Sequence, residues 1–158
     1  MRSFLTACEE IENTVARIYH ELSLCPAFDA QLRSIWVKMA REEEEHAMQF
    51  TFALRLGAAR IIEGSRLPRE RIRELLERAR SLLESVRSVP LSEEEVIRIS
   101  LHLEQDFLDV HISASAVFHE PDMHEMFKRL AKGDEAHVTA LKQYLNRNSR
   151  IDYQPPGG

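Results

Sequence analysis

The stretch Arg41-Glu42-Glu43-Glu44-Glu45-His46 lies near the middle of a long segment with helical apolar periodicity. A run of four carboxylates is, by itself, an ordinary solvated helix face. On a helix, however, a side chain shares its face with residues three, four and seven positions away. For Glu43 these are Trp36, Met39, Ala40, His46, Ala47 and Phe50, an apolar stripe with one imidazole. For Glu45 they include Lys38, Arg41, Glu42 and Gln49, a mostly polar set. The spacing therefore predicts that Glu43 points inward and Glu45 outward. A buried carboxylate without a partner is costly, and His46, one turn on, converges on the same point. Glu-x-x-His units are common by chance, so the remainder of the chain decides what this one means.

A chain of 158 residues fits one domain with a proper core. Five glycines and six prolines, with 30% charged and 44% hydrophobic residues, predict long helices and few turns. The net charge of −5 and the lack of a basic stripe argue against a nucleic-acid partner. Met1-Arg2-Ser3-Phe4 leads into an amphipathic segment without a secretory apolar core, and no run approaches a membrane span. The expectation is a cytoplasmic protein with no membrane partner. On one helix, Cys8 and Cys25 would stand about 25 Å apart, too far to bridge. No Cys-x-x-Cys pair exists, which excludes zinc ribbons and rubredoxin-type iron sites.

The first helix is predicted from Phe4 to Leu24, with Thr6-x-x-Glu9 as a capping box. Its apolar stripe is Leu5, Cys8, Ile11, Val15, Ile18, Tyr19 and Leu22. Glu12 falls within that stripe, whereas Glu9 and Glu10 do not. Pro26 breaks the chain, and a second helix runs from about Phe28 to Glu63, with Gly64-Ser65 and Pro68 marking the next stop and start. The segment from Pro68 to Ser88 has one apolar face and no inward acid, which fits a crossover helix lying against a bundle. Ser92-x-x-Glu95 caps a further helix from Glu93 to about His119, where Glu104 sits among Ile97, Leu101, Phe107, Leu108 and His111. Pro121-Asp122 opens the last helix, to about Arg147, with Asp134 ringed by Phe127, Leu130, Ala131, His137, Val138 and Leu141. The bundle thus spans 1–147, and 148–158 is a flexible tail.

Set side by side, the two halves repeat. Glu12, Tyr19 and Glu43-x-x-His46 are followed, 91 or 92 positions later, by Glu104, His111 and Asp134-x-x-His137. Each half offers one acid from its first helix and an acid plus an imidazole from its second. Joined by the crossover, two such hairpins form a four-helix bundle with four carboxylates and two histidines pointing inward. Four carboxylates in one core repel and lose hydration at several kcal/mol per ion. Protonation relieves this, and a pair of divalent cations relieves it better. Oxygen-rich ligation with one imidazole per metal suits iron or manganese rather than structural zinc.

Glu12, Tyr19, Trp36, Ala40, Glu43-x-x-His46 and the second-half repeat resemble the rubrerythrin branch of the ferritin-like superfamily, over roughly residues 4–147. The resemblance implies an all-α, ferritin-like four-helix bundle with a long crossover containing an additional helix. It also implies a dinuclear non-haem centre, commonly two iron ions, with manganese or a mixed pair as variants, reacting with peroxide or dioxygen. Carried over by position, Glu12 and Asp134 are terminal or chelating carboxylates, Glu43 and Glu104 bridges, and His46 and His137 the imidazoles; the choice of bridging acids stays open. Tyr19 and His111 would hydrogen-bond a ligating carboxylate, or else pack in the core with a satisfied polar tip. The alternative for His111, an imidazole in place of the usual phenol, is an extra ligand. Relatives of this kind pair as homodimers.

Three departures qualify the resemblance. No rubredoxin-type cysteines follow the helices, so an electron-donor protein would act in trans. The extra carboxylate expected within a turn of Glu104 is missing, because Ser100, Leu101, Phe107 and Leu108 hold no acid. Asp134 stands where glutamate is expected and reaches one methylene less far. Cys8 fits as a small buried hydrophobe, while His20, His102, His119 and His124 fit the surface or helix ends. Met39, Met48 and Met123 fit ordinary packing. The function expected is an oxidoreductase reducing peroxide or dioxygen. The alternatives are a ferroxidase, an iron storage or transfer protein, and a ferritin-like module with a degenerate metal site.

Overall fold

Five α-helices account for the regular structure of the computed structural model, which describes residues 4–57 and 69–148. They are α1 (Phe4–Leu24), α2 (Ala30–Arg55), α3 (Arg69–Ser88), α4 (Glu93–Val117) and α5 (Pro121–Arg147), with no strand among the described residues. None is long and apolar enough to cross a membrane.

Local chemistry sets most of the boundaries. After Pro26, Asp29 caps α2, its side chain accepting from the Gln31 and Leu32 amides at 2.8 and 3.4 Å. This cap starts α2 two residues later than the expected Phe28. At the other end α2 stops at Arg55, well short of Glu63, because Gly57 turns the chain at φ 80°. The expected stop at Gly64-Ser65 and start at Pro68 lie outside the described residues, as does the tail beyond Asn148. Thr6 is no cap, since Phe4 is already helical.

Ser92 and Glu95 form the expected capping box, with the Ser92 amide donating to Glu95 at 2.8 Å and the Glu95 amide to Ser92 at 3.3 Å. Helix α4 ends at Val117 rather than His119, because Phe118 is extended and Pro121 must begin the next helix.

Packing follows the apolar stripes. Every residue of the α1 stripe is buried, and so are all six neighbours of Glu43. Met48 departs from its expected packing role, being exposed on α2. Helix α1 lies along α2, α4 along α5, and α3 along α1 with a lighter contact to α4, an arrangement compatible with a bundle. Ion pairs from Arg80 to Glu10 and from Arg87 to Glu21 flank the α3–α1 seam, and Arg71 and Arg78 meet Asp106 of α4. Exposed pairs of this kind orient α3 more than they stabilise it.

The seam that matters for chemistry is α2 against α5. Its register is antiparallel: Glu42 meets His137, and one turn along, His46 meets Gly133.

Candidate metal centre

Four helices each deliver one carboxylate to the interior. Glu12 on α1, Glu43 on α2, Glu104 on α4 and Asp134 on α5 are all 1% exposed or less. The neighbouring acids in the run behave oppositely, Glu44 and Glu45 being exposed and Glu42 half-buried. One residue of helical rotation, about 100°, separates these environments. Three imidazoles, His46, His111 and His137, are buried with the acids.

Two triads emerge whose ligand atoms lie within 4.8 Å of one another: Glu12, Glu43 and His46, and then Glu43, Glu104 and His137. Glu43 belongs to both. Its Oε2 lies 3.0 Å from His46 Nδ1, and its Oε1 lies 3.0 Å from His137 Nδ1. The two imidazole rings face each other across it, with centroids 6.1 Å apart. Of the remaining triad contacts, Glu104 Oε2 lies 3.0 Å from His137 Nδ1, while Glu12 Oε2 is 3.8 Å from His46 Nδ1.

Asp134 belongs to neither triad. Its Oδ2 accepts from His111 Nδ1 at 2.7 Å, and the other ring nitrogen, Nε2, reaches Glu12 Oε1 at 3.4 Å. The shorter side chain thus ends on His111, which links it to Glu12. In the matching position of the other half, the Tyr19 hydroxyl donates to Glu104 Oε1. Tyr19 and His111 therefore each bond the first-helix acid of the opposite half. Phe50, Phe107 and Phe127 surround the His111 ring at centroid distances of 6.2, 6.4 and 5.8 Å, closing that side with apolar surface.

Charge is held by protons in this arrangement. Burial opposes protonation of the three imidazoles, but the acids outweigh it. Glu12 and Glu43 raise His46 to about 11; Asp134 and Glu12 raise His111 to about 10; Glu104 and Glu43 raise His137 to about 12. Burial also pushes the Glu12 carboxyl up, yet His111 and His46 overcome it and hold that acid at about 2. Glu104 goes the other way, raised to about 8 by burial and by the charge of Glu43. Burial and the charge of Glu104 keep Tyr19 a neutral phenol, and burial with the charge of Glu12 does the same for the Cys8 thiol. The imidazoles are thus held toward their protonated forms by the acids around them, and Glu104 is shifted toward its neutral form. Divalent cations would supply that positive charge instead.

The donor set fits such cations on a second ground. Glu12 Oε2 and Glu43 Oε1 are buried and accept no hydrogen bond of good geometry among the described residues, their imidazole neighbours His46 Nδ1 and His137 Nδ1 standing 3.8 and 3.0 Å away; Asp134 Oδ1, outside both triads, is likewise unsatisfied. Orphaned carboxylate oxygens in a low-dielectric core are costly unless a cation faces them.

One contact was not legible in the sequence. Glu42, on the polar side of the helical projection, turns back so that its Oε2 lies 2.9 Å from His137 Nε2. Its other oxygen is 3.5 Å from Lys38 Nζ. The only available signal was its place next to Glu43, which a helical wheel does not distinguish from the solvated Glu44. The remaining histidines lie where expected: His20, His102 and His119 are exposed, and His124 bonds the Ser115 carbonyl at 2.8 Å. Cys8 is buried, and Cys8 and Cys25 are both free thiols.

Comparisons of the chain with protein-family models, with curated proteins and with solved structures find no match. The geometry of the residues themselves is therefore what speaks to function: among the described residues, a helical structure with two buried Glu/His clusters that share one carboxylate and could hold metal ions.

Proposed function

We propose that this chain is a dinuclear non-haem metal protein, most simply a di-iron one, built as a rubrerythrin-like, ferritin-like four-helix bundle. In this reading α1, α2, α4 and α5 form the bundle, and α3 rides in the crossover between its halves. The observation that carries the reading is Glu43, whose two oxygens each approach a different imidazole at 3.0 Å. A carboxylate so placed suits a bridge between two cations, each completed by one histidine and one further acid.

Glu43 would be shared, Glu12 and His46 would complete one position, and Glu104 and His137 the other. Bound there, a pair of iron or manganese ions supplies Lewis acidity and two electrons for reducing peroxide or dioxygen, the electrons coming from an external donor protein. The chain's own residues prepare that chemistry. Tyr19 donates a hydrogen bond that fixes Glu104, and His111 ties Glu12 to Asp134. The phenylalanines around His111 exclude water from that side. Asp134 acts behind the ligands rather than among them, so this reading revises its expected ligand role. Glu104, expected as a second bridge, serves one position only.

Elemental analysis of untagged protein purified without oxygen tests the proposal. Two iron or manganese ions per chain are expected, with loading abolished in Glu43→Ala and unchanged in Glu45→Ala. Equal loss in both variants, or no metal even after adding ferrous iron, would sink it. With two ions in place, turnover of peroxide under an artificial reductant distinguishes an oxidoreductase from a ferroxidase or storage protein, which would oxidise and retain added iron instead.

A further inference from the structure

Glu42 and Gly133 hold the same place in the two halves, each immediately preceding the acid of its acid-x-x-His unit. In the structure each also faces the imidazole of the opposite unit. Glu42 Oε2 lies 2.9 Å from His137 Nε2. Gly133 lies against His46 so closely that a Cβ there would stand 2.8 Å from both Cε1 and Nε2 of the ring. The backbone arrangement is conserved between the halves, and the chemistry is not. One imidazole leans on a carboxylate, the other on a residue without a side chain.

We infer that the two metal positions are unequal, and that Glu42 is the positioning residue that makes the Glu43–Glu104–His137 position the tighter one. The inference rests on the dinuclear reading above. A carboxylate accepting from Nε2–H fixes the ring, commits the proton to that nitrogen and leaves Nδ1 free to ligate as a stronger base. Nδ1 of His137 is the atom that faces Glu43 and Glu104. Glu42 can do this from the rim because its side chain is 35% exposed and its second oxygen is steadied by Lys38.

At the other position, Gly133 gives the His46 ring room but no acceptor. The distances agree with this difference. His137 Nδ1 lies 3.0 Å from its terminal acid, Glu104, whereas His46 Nδ1 stands 3.8 Å from Glu12.

Anaerobic calorimetric titration with manganese(II) reads the inference directly. The parent chain should bind two ions in steps separated by tenfold or more in Kd. His137→Ala should remove the tighter step and His46→Ala the weaker. Glu42→Ala should weaken the tighter step by about 10–100-fold and leave the weaker unchanged. Glu42→Gln, whose amide oxygen still accepts from Nε2–H, should recover most of that loss, which a merely structural role for the side chain would not require.

Two indistinguishable steps in the parent would overturn the inference while leaving the dinuclear reading intact. So would equal weakening of both steps by Glu42→Ala, or no weakening of either. A parent chain that takes up neither manganese(II) nor ferrous iron would overturn the dinuclear reading, and this inference with it.

Discussion

In the helix pair α1–α2, Tyr19 and Glu43 stand where the pair α4–α5 carries His111 and Asp134. The two halves bring these residues to matching places. Tyr19 crosses to Glu104 and His111 crosses to Glu12, so the pseudo-repeat persists in the polar contacts as well as in the helices. What differs is reach and charge. Glu43 is long enough to approach two imidazoles, whereas Asp134 stops at the one provided by His111. An imidazole in place of a phenol suits this, because it can offer one nitrogen to Glu12 and the other to Asp134. The residues at 111 and 134 are thus coupled in space, and in the proposed reading together they serve as a support for Glu12.

The comparison breaks most sharply at the two matched acids. Glu43→Ala should lose both metal ions, since both triads use that carboxylate. Asp134→Ala should keep two ions with the Glu12 position weakened, because it frees His111 rather than removing a ligand. Metal content per chain after dialysis checks both. If Asp134→Ala loses metal as completely as Glu43→Ala does, Asp134 is a ligand and the halves are more alike than their contacts indicate. Equal folding of the two variants, read by circular dichroism, keeps that comparison clean.

Much of this was legible in the residues because burial on a helix follows a simple angular rule. The rule placed Glu12, Glu43, Glu104 and Asp134 inside, Glu45 outside, and the two acid-x-x-His units together. It failed where the outcome depends on side-chain length or on contact across helices. Nothing in the spacing says that Asp134 falls short of both triads, or that Glu42 bends back to His137. The end of α2 departs from the rule for a related reason. Apolar periodicity runs on past Arg55, but backbone conformation at Gly57 ends the helix, and a periodicity argument does not weigh a single glycine heavily.

A smaller effect concerns pH, where the first-helix acids of the two halves, Glu12 and Glu104, contribute with opposite signs while the imidazoles of both halves agree. His46 and Glu12 act in one half, and Glu104 with His137 in the other. Imidazoles raised to about 10–12 stabilise the fold fully below their ordinary value of 6.5 and lose that contribution as pH rises from there through the folded values. Glu12, held at about 2, stabilises above its ordinary 4.5 and loses that as pH falls through 2. Glu104, raised to about 8, costs stability progressively between 4.5 and 8.

With metal removed by chelator, the melting temperature should therefore decline from pH 5 to pH 9. In the dinuclear reading a bound cation displaces the protons of the ligand nitrogens and of Glu104 into solvent, so loading at pH 7 should expel about three protons per chain and weaken as pH falls. Proton release measured in weakly buffered solution, alongside melting with and without manganese(II), tests both signs. A melting temperature that rises with pH in the chelated protein would contradict the charge assignment.

The smallest difference expected between the halves is at Tyr19 and His111. Tyr19→Phe removes one donor from Glu104 and leaves that carboxyl its contact with His137, so about 1–3 kcal/mol of stability should be lost. Both ions should remain, because the ring still fills its place among buried neighbours and no triad member is replaced. His111→Phe changes more. It removes the partner of Asp134 and of Glu12 together, stranding two buried acids on one side of the core. The melting temperature should fall further than in Tyr19→Phe, and metal affinity should drop at the Glu12 position. Denaturant unfolding and manganese(II) titration of the two variants in parallel would read the ratio of these effects. If Tyr19→Phe proves the more damaging, the phenol rather than the imidazole carries the tighter support, and the polarity of the comparison reverses.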